Sequence, residues 1–287
     1  MAFNFKDLEK NLEKLPPLSP TVSKILMITN DPSSSAGNLN KVISLDPVLT
    51  ARVLKLVNSA YFALSQQITS IVRAIVILGF NTIKNLAFSA AILDTFLKVK
   101  SDVFPIDEFW EHSLSVATIS KLLAKELGIN STLLEEYFIC GLLHDIGKLV
   151  FLRFYQDDFL KAVQLSYDNN IDLSEAEMDI IGCDHLEAGE LLAKKWKFAN
   201  NIKETIGMHD TLDISGDNKY SIRNIVFISD IISRSEGMGN SGNYYLPDNI
   251  DECLEKLDLN LDTILKLSNN LNNELDKARN FLQINKK

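Results

Sequence analysis

The sequence predicts an all-α protein, and three observations carry that prediction. The seven prolines stand at positions 16, 17, 20, 32, 47, 105 and 247, so residues 106–246 contain none. Proline breaks helix interiors, and a proline-free run of that length with apolar residues every three or four positions reads as consecutive helices. Helix start and stop signals recur at regular intervals along the chain. No alternating strand pattern of any length occurs, and there is no internal repeat.

The elements follow in order. At 287 residues the chain approaches the upper size for one core, so one large or two modest domains are expected. A first lobe over residues 15–97 holds most of the prolines. Within it Asp46-Pro47 reads as a helix cap followed by proline at the first helical position. Val48–Val57 and Ile68–Ala91 then have the spacing of helices packed into a core. The segment KVKSDVFP at 98–105 interrupts the apolar pattern and marks a boundary, after which Pro105 restarts it. A second lobe is expected over 105–236. Gly79, Gly128 and Gly237 each follow an amphipathic run, where a left-handed residue ends a helix. Thr132-x-x-Glu135, Ser174-x-x-Glu177 and Asp184-x-x-Glu187 have the form of capping boxes. GMGNSGNYYLP is a loop by composition. Residues 248–282 return to helical spacing through Leu254, Leu257, Leu261, Ile264 and Leu267. A coiled-coil seam is conceivable there; packing onto the body is the expectation.

Composition narrows the function. Apolar residues make up 46% and charged residues 23%, which excludes a disordered chain. The net charge of −9 offers no general basic face, so nucleic acid is not an expected partner. Cys140, Cys183 and Cys253 are odd in number, far apart and form no C-x-x-C. That usage suits a reducing cytoplasm and gives no disulfide framework. The amino-terminal residues lack the apolar stretch of a signal peptide, and apolar runs such as Ile75–Phe80 are too short to span a membrane. A soluble cytoplasmic protein is expected.

The four histidines, His112, His144, His185 and His209, all lie in the second lobe. His144 is followed directly by Asp145 inside the apolar string FICGLLHDIGKLVF. Burying a carboxylate without a partner is costly, and a divalent cation would supply one. Imidazole nitrogen and carboxylate oxygen are ligands expected of iron, manganese or zinc. A local salt bridge of Asp145, with His144 bonded to backbone, is the alternative for any isolated His-Asp pair. Lys148 lies one turn beyond His144, and Glu108 lies one turn before His112. Glu108 reads either as a support of a metal site or as an exposed glutamate.

The string GLLHDIGK, with His112 upstream and Asp230 in NIVFISDII downstream, resembles the HD superfamily of metal-dependent phosphohydrolases. The resemblance implies that His112, His144, Asp145 and Asp230 hold one metal. Members with two metals add two histidines in between, with the doublet aspartate as bridge; His185 in GCDHLEAGELLAKKW and His209 in IGMHD stand there. It also implies that Lys148 contacts substrate phosphate. Iron or manganese is favoured, with zinc and nickel also compatible, as one ion or two. LPPLSP, Asp46-Pro47, LVNSAYF and TSIVRAIVILGF further resemble an HDOD domain, the HD-related output domain of bacterial signalling proteins. That likeness covers nearly all of residues 1–287 and implies two helical lobes, the second an HD-like bundle. The sequence departs from the HD-GYP phosphodiesterases: Asp210 follows His209 where a second histidine stands, and no Gly-Tyr-Pro occurs.

Two functions are consistent with this. One is a bacterial signal-transduction module that binds metal and acts through a signalling protein or a small nucleotide-like ligand. The other is a metal-dependent phosphohydrolase or phosphodiesterase. Asn58 in LVNSAYF stands either between the lobes or as a helix cap. The oligomeric state is left open.

Overall fold

The computed structural model describes residues 5–282, apart from 16–17, 32, 60, 97–100 and 215–218. Among the described residues there are sixteen helices and no strand, which establishes the all-α class. The amino-terminal group is α1 (Phe5–Glu13), α2 (Pro20–Asn30), α3 (Ala36–Ser44), α4 (Pro47–Val57), α5 (Ile71–Leu78) and α6 (Phe80–Phe96). The central group is α7 (Ile106–Glu126), α8 (Leu134–Leu143), α9 (Ile146–Phe154), α10 (Gln156–Asn169), α11 (Leu173–Ile180), α12 (His185–Lys195), α13 (Asn200–Met208) and α14 (Ile222–Ser235). Two helices, α15 (Ile250–Lys256) and α16 (Leu261–Leu282), complete the chain. None of the described helices is long and apolar enough to cross a membrane.

Local chemistry explains most of the boundaries. Asp46 caps α4, accepting from Val48 N and Leu49 N at 3.0 Å each, and Pro47 takes the first helical position. Asp184 caps α12 by accepting from Glu187 N at 2.8 Å. Gly79, Gly128 and Gly237 follow α5, α7 and α14 with φ of 87°, 76° and 63°. Two expected capping boxes do not form. Thr132 is held in a turn by Asn130, whose Oδ1 accepts from its backbone N–H and its hydroxyl, and α8 starts at Leu134. Asp172, not Ser174, caps α11, and the Ser174 hydroxyl donates to Asp172 Oδ1 at 2.7 Å. Glu177 is thereby free to turn inward. The expected boundary at 98–105 lies partly outside the described residues; in its remainder Ser101 Oγ accepts from Val103 N and Phe104 N and turns the chain into α7.

Asn58 is the C-cap of α4 and not a contact between lobes. Its Nδ2 donates to Leu54 O and Ile68 O, and its Oδ1 accepts from Ile68 N at 2.7 Å. One apolar core runs from Leu8 through α2–α6 into α7–α9, α12 and α13. A second gathers α7, α8, α14, α15 and α16 around Ile119, Ile228, Leu267 and Leu271. The helical spacing of residues 248–282 breaks at Asp258, where φ is 52°, and α16 lies along α7. Lys121 ties the two groups together, donating to Tyr61 OH at 2.7 Å while pairing with Glu135.

Glycines set how closely the central helices approach. A Cβ on Gly147 would stand 1.9 Å from His185 O and 2.8 Å from Gly189 N, so α9 and α12 touch backbone to backbone. Gly141 meets Ala117 Cα on α7 at 2.8 Å in the same way. Overpacking a close contact costs about 1–3 kcal/mol, and more where backbone must move. Gly147→Ala is therefore expected to destabilise the protein by at least about 3 kcal/mol. Gly189→Ala, whose Cβ would clash with the Ile206 methyl at 2.5 Å and touch Gly147 backbone only at 3.4 Å, should cost less. Thermal melts of the two variants decide this; equal melting temperatures would contradict it.

Candidate metal centre

The six expected donors come together. His112 projects from α7, His144 ends α8, Asp145 precedes α9, His185 opens α12, His209 ends α13 and Asp230 lies on α14. The contact of α9 with α12 at Gly147 brings His185 beside Asp145. All four imidazoles and Asp145 are 1% exposed, which is possible only with partners inside the protein.

Asp145 stands between two groups of imidazoles and presents a different oxygen to each. Oδ2 lies 3.3 Å from His144 Nε2 and 3.9 Å from His112 Nε2. Oδ1 lies 3.4 Å from His209 Nε2 and 3.6 Å from His185 Nε2. Asp230 Oδ1 joins the first group, 3.0 Å from His112 Nε2 and 3.7 Å from His144 Nε2. His112, His144 and Asp145 form one cluster with metal-ligand spacing, and Asp145, His185 and His209 form another.

Every Nδ1 is occupied from outside the centre. His144 Nδ1 lies 2.7 Å from Gly141 O, and His209 Nδ1 lies 3.2 Å from Ile206 O. His185 Nδ1 lies 2.6 Å from Glu177 Oε2, and His112 Nδ1 lies 3.2 Å from Ser233 Oγ. Carbonyl partners fix the Nδ1–H tautomer, so the Nε2 lone pair is the one facing inward. The Nε2 atoms of His112, His144 and His185, with Asp145 Oδ1 and Asp230 Oδ1, are buried without a hydrogen bond of good geometry. Unsatisfied donors converging from five helices are what a cation-binding set requires.

The charge balance agrees. Burial opposes ionisation of Asp145 and Asp230, yet His144 and Lys148 beside the first, and Arg234 and His112 beside the second, hold both well below the usual carboxylate range. Burial pushes His112 down against the pull of Asp230. Burial and Lys148 push His185 down to about 4. Burial would lower His209 too, but Asp210 and Asp145 outweigh it and push it up to about 9.

Three residues missed in the sequence support the centre. Asp210 places Oδ1 at 3.4 Å from His209 Nε2 and Oδ2 at 3.5 Å from His185 Nε2. Its Oδ2 is buried without a hydrogen bond, so it presents further oxygens to the second group. Glu177 also accepts from His185 N at 2.7 Å, and burial raises it well above the usual range against the pull of Lys148. Arg234 pairs with Asp230 Oδ2 at 2.7 Å. Lys148 is 2% exposed, with Nζ 2.7 Å from Asp145 Oδ2. The Glu108 side chain is exposed, and its backbone carbonyl accepts from Asn240 N. The three cysteines are free and buried, and neither cluster with metal-ligand spacing includes one.

A model of the HDOD domain family matches residues 15–212. The chain belongs to the HDOD family. Within it, an HDOD domain protein of Geobacter sulfurreducens, of unknown function, superposes with a TM-score of 0.77 at 24% identity, covering 97% of this chain and 99% of that one. A candidate phosphohydrolase of Shewanella amazonensis SB2B superposes at 0.73 with 25% identity, covering 96% and 97%. An uncharacterised protein of Treponema pallidum (strain Nichols) is 26% identical over 201 residues, 70% of this chain. The match spans only 38% of that relative's length. Other HDOD-like structures carry signal-transduction or phosphohydrolase names. The family match ends before Asp230 and Arg234, so α14 adds its donor from outside the matched segment.

Asp210→Asn keeps the shape of Asp210 but removes a charge from the second group only. If the second group holds a cation, the purified variant is expected to contain less metal than the unsubstituted protein, with the His112 group unaffected. Unchanged metal content, read by elemental analysis, would remove Asp210 from the donor set.

Proposed function

We propose that this HDOD chain is a regulatory metal-binding module that acts by binding a signalling partner or ligand rather than by turnover. His112, His144, Asp145 and Asp230 would hold one divalent cation, and His185, His209, Asp145 and Asp210 a second. All-imidazole and carboxylate donors with no thiolate favour iron or manganese, while zinc and nickel also accept imidazole. A bound cation would neutralise the surplus carboxylates and, in a hydrolase, lower the pKa of a bound water.

The observation that carries this reading is closure. The imidazoles and Asp145 are 1% exposed, so these donors face one another and not solvent. Lys148, expected on substrate phosphate, is engaged by Asp145 instead. The chain's own residues then act mechanically. Helices α7, α8, α9, α12, α13 and α14 each supply a donor, so loading tightens six helix positions against one another.

A hydrolase reading has one observation in its favour. A cavity of about 640 Å3, bordered by Asp210, Arg234, Tyr245 and Lys256, reaches the second group from outside. Phosphomonoesters or cyclic dinucleotides would enter there, beside Asp210 and not over Lys148.

Metal analysis, melting and a phosphoester screen on one preparation separate the two. Protein purified without chelator should contain transition metal, and chelation should lower its melting temperature by several degrees, restored by reloading. A hundredfold excess of ion over its dissociation constant is worth about 2.7 kcal/mol. Hydrolysis should stay far below about 1 per second. Turnover at that rate, abolished by Asp145→Asn, would establish the phosphohydrolase instead.

A further inference from the structure

The amino-terminal helices carry a surface that the metal centre does not use. Between Asp31 and Asp94 the chain has five basic side chains, Lys41, Arg52, Lys55, Arg73 and Lys84, and one acid, Asp46, although its net charge is −9. Asp46 faces backbone amides at the start of α4, so it offers little to a partner. Lys41, Lys55 and Arg73 are exposed.

The same stretch exposes large aliphatic side chains. Helix α5, IVRAIVIL, buries Ile71, Ala74 and Ile75 and turns Val72, Val76 and Ile77 to solvent, Val76 at 78%. Three aliphatic side chains on the outer side of one short helix, beside Arg73, are uncovered by any of the described residues. Beside it the exposed positions of α4, Val48, Ala51, Lys55 and Asn58, recur every three or four residues and form one stripe. An open groove of about 680 Å3 is lined by Ala51, Leu54, Lys55, Asn58 and Ser59 and by Gln67, Ile68 and Thr69, the residues leading into α5, so its lining mixes polar and apolar groups. The three hydrogen bonds of Asn58 to Leu54 and Ile68 hold that groove open, so a ligand would not have to order it.

We propose that the α4–α5 face is a docking surface for an acidic amphipathic helix of a protein partner. Its apolar side would lie on Val72 and Val76, with its polar edge over the groove and carboxylates meeting Lys55 and Arg73. The proposal names a partner for the regulatory reading above, and rests on that reading only in taking the partner to be a protein. Charge complementarity selects the occupant: a local excess of cations on an acidic chain attracts anions and repels basic segments. A lipid surface fits less well, because the exposed apolar groups of α5 are aliphatic, without the Trp or Phe that seat in membrane interfaces.

The test uses the full chain and a fluorescent peptide of about 18 residues, five helical turns, with leucine at i, i+3, i+4 and i+7 spacing and glutamate elsewhere. A second peptide carries lysine for glutamate. The acidic peptide should bind with a Kd of about 100 μM or tighter. Val76→Asp and Lys55→Glu, both on exposed side chains, should each weaken it about tenfold. The lysine peptide should bind no better than those variants, and melting temperature and metal content should be unchanged. No binding of the acidic peptide up to about 1 mM overturns the proposal; so does equal binding to the variants. Two further results also overturn it. Val76-dependent binding to phosphatidylglycerol vesicles without peptide binding would assign the face to a membrane. A Val76-dependent dimer in sedimentation would assign it to a second copy of this chain. Metal content does not enter these outcomes, so loss of the metal reading would leave them intact.

Discussion

The desolvated carboxylate of Asp145 is the constraint around which the central helices are arranged. It stands at the joint between α8 and α9, where its side chain would ordinarily cap the following helix, yet it makes no capping hydrogen bond. Its oxygens are directed instead to imidazoles on one side and the other, with Lys148 closing the remaining direction. A charge that has given up both water and its local backbone must be compensated by distant parts of the chain. Three of the imidazoles accordingly come from helix ends: His144 finishes α8, His185 begins α12 and His209 finishes α13, while His112 and Asp230 project from within α7 and α14. Helix ends place a side chain at a fixed point while leaving the helix body free to pack in the core.

Closeness of that order requires backbone contacts that side chains would prevent. Gly141 lets α8 lie against Ala117 on α7, and Gly147 lets α9 lie against the first turn of α12. Gly239, at φ 74°, brings the loop after α14 to within 2.3 Å of His112 N, measured from the Cβ position it lacks. Glycine there serves proximity. Outside this layer Glu177, Ser233 and Arg234 orient His185, His112 and Asp230, so each inward donor is held from behind.

The fold was legible because helix formation leaves periodic marks: the proline-free stretch is helical through α7–α14, and Gly79 divides Ile68–Ala91 into α5 and α6. The convergence of His112, His144, Asp145, His185, His209 and Asp230 was legible through the HD resemblance, which names those six positions together. The supporting residues were not. Glu177 sat three residues after a serine and so mimicked a capping box, while its real partner, His185, lies eight residues on across a turn. Asp210 read as a departure from a relative's pattern, because sequence cannot show that its oxygens reach two imidazoles from different helices. The repetition of a His-Asp pair at 209–210 was the available signal. Asn58 was ambiguous for a related reason: a cap and a lobe contact both favour the same polar side chain.

Burial of the donors also has a consequence in time. Asp210 and Asp230 are the most accessible of the carboxylates, with side chains 13% and 7% exposed, while the imidazoles are sealed behind helix ends. An ion seated among them would leave only when α12 and α13 part from α9, so its residence would follow the rate of local opening and not the rate of ligand exchange. Donors spread from His112 to Asp230 are assembled only once the central helices have docked. Removal by a chelator and reloading would then both be slow steps, paced by the loosening of the central helices.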